Sequence, residues 1–510
     1  MTAVNKIDSN IVETRYALED SPGVVSGDEI WYPLEPNTIT DFGANVSTIS
    51  RAPITSDRQR RKGTMTGVEA GGKMNHDLVQ TGLQDILQGF MFAALRNKAQ
   101  KTSLITAVDN DPKTYAAAAG LDAFATGDLV LASNFGLAAN NGLKTVVTAI
   151  AALLTVTETT AAEAAPPATA KLVQVGFEFT AGDASIDVTG DLPVLASVAK
   201  DMTEFGLVPG EYIYIGGDAA ITQFATAADT GLCRVRSVTA NAIVLDKTQD
   251  TFTIDAGAGK TIRIFFGRVL KNETGTDIVT STYQVERSLG APDDAAPAEI
   301  QYEYLVGAYP DEITLTIPTA DKVTLDMGFV ALDTELKTAA TGEKAGDRPA
   351  LAAEDAFNTS SNVARINLAV VSDTDESPTP LFSFVTDLSL NIKNNVKGEK
   401  AVGVVGAFGA TVGMFEVSGS MTTIFTEVAA MQAVRDYDDI TLDLHLFKDN
   451  TGISLDVPLL HLGDGRANVE KDAPVKLALS HMAENGATVD SGLDHTLLWI
   501  FWDYLPTVAM

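Results

Sequence analysis

Ile313-Thr314-Leu315-Thr316-Ile317 alternates apolar and polar side chains residue by residue. The same period of two returns in Val323-Thr324-Leu325-Asp326-Met327, Leu442-Asp443-Leu444-His445-Leu446, Ile453-Ser454-Leu455-Asp456-Val457 and Val475-Lys476-Leu477-Ala478-Leu479. Successive side chains of a strand point to opposite faces, so this pattern predicts antiparallel sheets with one face buried and one solvated. Phe447-Lys448-Asp449-Asn450-Thr451-Gly452-Ile453 joins two such runs and reads as a hairpin turn, because Asp, Asn and Gly tolerate the backbone angles it needs.

Working outward, helical spacing occurs in two places. Asn75 or Asp77 is placed to cap a helix carrying Leu78, Val79, Leu83, Ile86, Leu87, Phe90 and Met91 on one face. A second helix, over about 421–435, carries Ile424, Phe425, Val428, Met431 and Val434. A helix beside strands in each half suggests two related β-plus-helix units.

Between the halves lies a stretch that repeats itself. Gly142-Leu143-Lys144-Thr145-Val146 returns as Gly231-Leu232-Cys233-Arg234-Val235, an offset of 89. Lys171-Leu172-Val173-Gln174-Val175 returns at the same offset as Lys260-Thr261-Ile262-Arg263-Ile264. Gly127-Asp128-Leu129-Val130-Leu131 answers Gly210-Glu211-Tyr212-Ile213-Tyr214 at an offset of 83, which requires an indel between. The predicted organisation is therefore a core begun by 1–100, two tandem small β-domains at 101–182 and 183–269, and the rest of the core in 270–510. Ala161–Pro167 is a low-complexity loop, and 337–362 loses the alternation and reads as a long loop or extended arm.

At 510 residues, with 45% hydrophobic and 20% charged side chains, the chain is long enough for several cores and is not a disordered polymer. No apolar run is long enough to cross a bilayer, and the N-terminus lacks a basic-then-apolar leader pattern. Cys233 is the lone cysteine, so no intrachain disulfide exists, in keeping with synthesis inside a cell. The net charge of −31 is uneven: 270–510 carries 15 basic against 37 acidic side chains. Gripping nucleic acid through its phosphates needs the opposite sign. Acidity on this scale serves solubility, and in a channel it would let a polyanion slide without sticking.

Motifs for catalysis or metal binding are missing. The five histidines (His76, His445, His461, His481 and His495) have no paired Cys or His at zinc spacing, and His445 reads as an ordinary sheet residue. No phosphate loop or nucleophile elbow is present. Val417-Ser418-Gly419-Ser420 reads as a strand end bent at glycine. The acidic pairs Asp293-Asp294, Asp311-Glu312 and Asp438-Asp439 could mimic a glycosidase dyad, but among 67 acidic residues some pair always does. No catalytic, cofactor-binding or metal residue is assigned. Val402–Ala410 is glycine-rich but too short for a membrane span and reads as a closely packed loop. One basic cluster interrupts the acidity: Arg58, Arg60, Arg61 and Lys62, between two strand-like runs. It reads as a solvated turn or as a loop docking electrostatically onto an acidic surface of a neighbouring subunit.

Glu13-Thr14-Arg15-Tyr16-Ala17-Leu18-Glu19-Asp20-Ser21-Pro22-Gly23, then Trp31-Tyr32-Pro33-Leu34, resembles the opening of the major tail tube proteins of long-tailed, siphophage-like bacteriophages. Ser56–Arg60, Thr64–Glu69 and the 75–92 segment are similar to the loop, strand and helix that follow there. Asp387-Leu388-Ser389-Leu390-Asn391-Ile392-Lys393-Asn394-Asn395-Val396, Gly403–Phe408 and Phe415–Ser420 resemble later strands. The likeness covers about 10–98 and 275–505, and the repeated insert is a departure from it. It implies a mainly β fold: an antiparallel β-sandwich or barrel core with flanking helices, plus the inserted tandem pair. It further implies homohexameric rings stacked into a tube, with an acidic lumen conducting DNA during ejection, and strands such as 313–317 and 442–446 near that lumen. The insert would lie outside. Implied partners are other copies of the chain, a tape measure protein, a tail terminator and distal tail or baseplate proteins. Genomic DNA would pass without specific binding, no cofactor or membrane is involved, and the location is the virion tail after synthesis in the host cytoplasm. The competing readings are a β-rich host-attachment adhesin or fibre, favoured by the tandem repeats, and a carbohydrate-active enzyme, favoured only by acidic pairs.

Overall fold

The computed structural model describes residues 6–509 except 55, 57, 58, 103, 292–298, 339–341 and 383. Arg58 and the Asp293-Asp294 pair therefore lie outside the described residues. Strands dominate, pairings between named strands are antiparallel, and the sheets stay open-ended, so the barrel alternative is not realised within one chain. The chain divides into two compact units. One is drawn from Met1–Ala94, Glu273–Ser360 and Thr386–Thr422, the other from Leu95–Asn272, Ser361–Val385 and Thr423–Met510. The stretch 270–510 thus contributes to both.

In the first unit the decisive alternating run belongs to a 17-residue strand, Gln301–Ile317, shared by two sheets. Its N-terminal half pairs with Tyr283–Gly290 and Asp333–Thr338, and Glu13–Leu18 and Tyr32–Leu34 extend that sheet. Its C-terminal half pairs with Thr324–Ala331 and Val385–Lys393, and Arg61–Asp77 and Pro36–Arg51 extend the other. The strand changes sheets around Gly307, at φ 61°, and a bulge between Pro310 and Glu312. Gly307 is needed there twice over, since a Cβ would also sit 2.7 Å from Leu332.

The first helix is Gln84–Met91, shorter than predicted. The segment before it continues the strand: Asp77 pairs with Thr324, and the Leu78 N–H donates to the Val323 carbonyl. Ile86, Leu87, Phe90 and Met91 are buried as the spacing requires, with Phe90 edge-on to Phe329. The second helix is also shorter, Ala429–Asp436, because Glu416–Ile424 ends in Thr422-Thr423-Ile424, a β-branched run that stays in its strand. The 342–360 stretch has no strand yet is tied down: the Trp31 indole N–H donates to the Ala345 carbonyl, and Arg348 pairs with Glu286 at 2.7 Å.

In the second unit one sheet holds 13 strands from the 100–266 region. Its pairing order reads the same from both edges. Outward from the central contact of Lys171–Glu178 with Arg263–Phe266 come Asp128–Ser133, Gly142–Ile150, Leu153–Val156, Lys113–Ala117 and Ile105–Asn110 on one side. Tyr212–Ile215, Gly231–Thr239, Ala242–Asp246, Val194–Ala196 and Ser185–Asp187 follow on the other. Leu129 faces Thr145 as Tyr212 faces Arg234. The second sequence match needs correction: Leu172 and Ile264 occupy equivalent places, opposite Ala132 and Ile215, so Lys171 answers Arg263 rather than Lys260. Each half has its own hydrophobic cluster, one around Tyr115, Leu121 and Leu154, the other around Met202, Cys233 and Ile264.

The same unit contains Ile440–Lys448 and Thr451–Asn468, joined by a two-residue turn at Asp449 and Asn450, both at positive φ as a hairpin of this length demands. Leu498–Trp502 pairs beside them. Here the expectation of a solvated face fails. Ile440–Phe447 is buried on both faces, so 442–446 cannot present its polar side to a lumen.

Candidate functional site

Three surfaces or clusters carry the polar chemistry. The first is a long arm, the hairpin of Pro36–Arg51 and Arg61–Asp77. Beyond Gly43 nearly every side chain of the outer strand is exposed, including Val46 and Ile49, and Met65 and Ile54 are exposed with them. The strands are drawn close near the tip, where a Cβ on Gly63 would meet the Ile49 carbonyl oxygen at 2.4 Å. Arg60, Arg61 and Lys62 sit at that tip, all exposed. Arg61 faces Arg51 across the hairpin, two like charges opposite one another, a pairing that costs stability unless an anion lies nearby. Closer to the body, Lys400 pairs with Glu69 at 2.7 Å and the Val68 N–H donates to the Val405 carbonyl at 3.0 Å, so part of the glycine-rich loop braces the arm.

The second feature is one face of the sheet that the arm extends. Below the sheet, Met74, Leu325, Met327, Ile313, Leu315, Leu390 and Ile392 are buried. Above it the alternate positions at the centre of the face are polar or glycine. Asn75, Asp326, Thr314 and Asn391 form one row across four strands, and Lys73, Gly328, Glu312 and Lys393 the next. Asn75 donates to Asp326 at 2.8 Å, and Asn391 donates to Glu312 at 2.8 Å. Lys393 lies 3.4 Å from Glu312, and Lys322 lies 2.7 Å from Asp77. The Asn391 amide, with Lys393 and Lys73 beside it, holds the Glu312 carboxyl below its ordinary range, against a smaller opposing effect of burial.

The third feature is a buried ionic network in the second unit, which sequence reading missed. Arg234 grips Asp246 with both prongs, at 2.8 and 2.7 Å, and reaches Asp456 at 3.3 Å. Lys247 lies 3.0 Å from Asp456 and 3.5 Å from Asp443, and Arg365 holds Asp443 at 2.7 Å. His445 stands 3.3 Å from Asp443, and its Nδ1 is 2.7 Å from the Ser454 hydroxyl. His495 stands 3.6 Å from Asp456. Burial opposes ionisation of Asp443 and Asp456. The surrounding cations outweigh it, Arg365 and Lys247 for Asp443 and Lys247 and Arg234 for Asp456, and both carboxyls stay well below the usual range. Burial also keeps His445 below the ordinary imidazole value. The signal was present as Asp443, His445, Ser454 and Asp456 at alternate strand positions. That pattern looks the same whether the polar face meets water or buried counter-charges. Among the described residues no group of three or more His, Cys, Asp or Glu could hold a metal ion. The network joins the repeated sheet to the 440–460 hairpin and holds structure.

Of the basic cluster, the structure brings Arg60, Arg61 and Lys62 together at the arm tip. Asp311-Glu312 lies on the long strand, and Asp438-Asp439 precedes Ile440–Lys448. A family model described as phage tail tube protein matches residues 9–488. The chain belongs to the phage tail tube protein family. A search of curated proteins finds no match. Membership in the tail tube family makes this a structural tail component of the virion, and the match runs through the repeated stretch as well as the flanking segments.

Proposed function

We propose that copies of this chain close into rings, six to a ring, and that the rings stack into the tube through which DNA leaves the virion, with no catalytic step. The observation that carries this reading is the arm: a hairpin exposed over much of its length, apolar and basic at its end, on a family member whose outer strand Pro36–Arg51 pairs, among the described residues, on one side alone. Such an edge invites another strand, and ring closure satisfies it. The basic tip, in which Arg58 is included on sequence alone, docks on acidic surface of an adjacent copy.

The polar face around Asn75, Thr314 and Asn391 is the wall offered to DNA. It presents amides and hydroxyls, with Glu312 and Asp77 already engaged by lysines. A phosphate backbone finds few free cations there, and the surplus negative charge of the chain discourages adhesion at longer range. The repeated halves of the 13-stranded sheet are copies of one small β-domain carried by the tube subunit. A tape measure protein, tail terminator and distal tail or baseplate proteins are the partners this role calls for, in a siphophage-like tail assembled in the host cytoplasm.

Purified protein imaged by negative stain across a concentration series tests the reading. Rings or striated hollow tubes are expected. Compact trimers or elongated fibres would instead favour a host-attachment protein.

A further inference from the structure

The first unit contains a groove at the root of the arm, with a volume of about 580 Å³. Its floor and walls are apolar where Tyr32, Pro33, Val79, Leu83 and Leu351 line it. Its charged side chains are all acidic: Glu35, Asp77, Asp85 and Glu354, with no lysine or arginine among the lining residues. One buried polar atom in the lining is unsatisfied. His76, 2% exposed, donates to the Glu35 backbone, and its Nε2 has no partner. A buried acceptor without a donor marks a place where an incoming N–H would be welcome.

The arm tip is the complement of this groove. Ile54 is fully exposed, and Arg60 and Lys62, a few residues along the sequence, are exposed as well, which supplies an apolar anchor and two cations in one short segment. We infer that the tip of one copy inserts into the groove of a neighbouring copy, with Ile54 against the apolar lining and Arg60 and Lys62 against the acidic rim. The contact cannot form within one chain. Pro36 and Asp77 at the arm's root line the groove, and the 16 residues of Pro36–Arg51 carry the tip up to about 50 Å away. Root and tip on the same molecule let each copy both give and receive; in a tube the contact runs heterologously from copy to copy, whereas a reciprocal exchange of arms would stop at a dimer. The arm's length sets the upper limit of the axial step between joined copies.

This inference rests on the tube reading, and one experiment separates their fates. Full-length protein carrying Ile54→Cys and Leu351→Cys, both surface positions, is assembled, oxidised and run on non-reducing gels beside each single variant. Cys233 is buried and serves as its own background control in the unmodified chain. The double variant should give a ladder of dimers, trimers and higher species, and each single variant no ladder. Rings or tubes from the unmodified chain together with no ladder from the double variant would overturn the tip-in-groove assignment alone. An unmodified chain that stays monomeric at every concentration would overturn the tube reading and this inference with it. As a second readout, Lys62→Glu should abolish tubes, and combining it with Glu35→Lys in one chain should restore them. Tubes undiminished by Lys62→Glu would also overturn the assignment.

Discussion

At the scale of single residues, position in the fold decides what each charge does. His76 is buried in the first unit, and burial pushes its imidazole down to about 4 despite the nearby Asp77 and the bond to Glu35. Between about pH 6.5 and pH 4 the unfolded chain takes up a proton at this side chain and the folded chain does not. Stability therefore falls as the pH drops through that window, by up to about 3 kcal/mol from this residue, with no further loss from it below. NMR of the His76 ring should show a midpoint near 4, and a midpoint near 6.5 would refute the buried, neutral assignment. Asp443 and Asp456 act lower on the scale. Their depressed folded values make a contribution that is present above about pH 4 and lost below it. Residue-scale chemistry was the least legible part of the sequence. Leu442-Asp443-Leu444-His445-Leu446 announces a strand with one polar face, but the counter-ions Arg234, Lys247 and Arg365 come from distant segments that only folding brings near.

At the scale of elements, periodicity was a good guide to strands and a poorer one to helix ends. Each of the five alternating runs lies in or overlaps an observed strand, and the Asp449-Asn450 turn is where the sequence puts it. Both helices shortened because their flanking residues had a better use as strand, as Asp77 shows by pairing with Thr324. Of the basic run expected to form a loop, Arg61 and Lys62 instead open the strand Arg61–Asp77, and nothing local says that two long strands carry them outward. The polar face is an element-scale property too, since it exists only when four strands are in register. Placing Thr314→Arg together with Ser389→Arg on it leaves the buried rows untouched and adds two cations to the wall. Tubes of this variant should retain added duplex DNA in co-sedimentation at low salt, with retention falling steeply as salt rises. Retention equal to that of the unmodified tubes would exclude this face as the channel wall.

At the scale of the whole molecule, the repeated sheet is no detachable ornament of its unit. Arg234 and Lys247 come from it, and Asp443 and Asp456 lie on strands far along the chain. Tyr212, Leu232 and Phe265 also share one hydrophobic cluster with Phe447, Ile500 and Trp502. Removing 95–272 would leave two fully buried carboxylates short of cations, and losing one partner of a buried pair costs about 3–5 kcal/mol. The deleted chain should lose cooperative unfolding of its 423–510 strands, seen as loss of amide protection there by hydrogen exchange. Full protection would show that the repeated sheet contributes nothing to them. Glycine-led strands mark both stretches in the sequence; the palindromic pairing of their sheet was not legible there, since symmetry belongs to the sheet rather than to the string. Under the duplication proposed above, that palindrome carries a history. A forebear with one half would have met its own twin edge to edge, and fusion would have turned that meeting of two molecules into a built-in certainty. Two halves on one chain are also free to differ: Thr145 stands in the first where Arg234 stands in the second and holds Asp246 and Asp456, so a symmetric frame carries a division of labour.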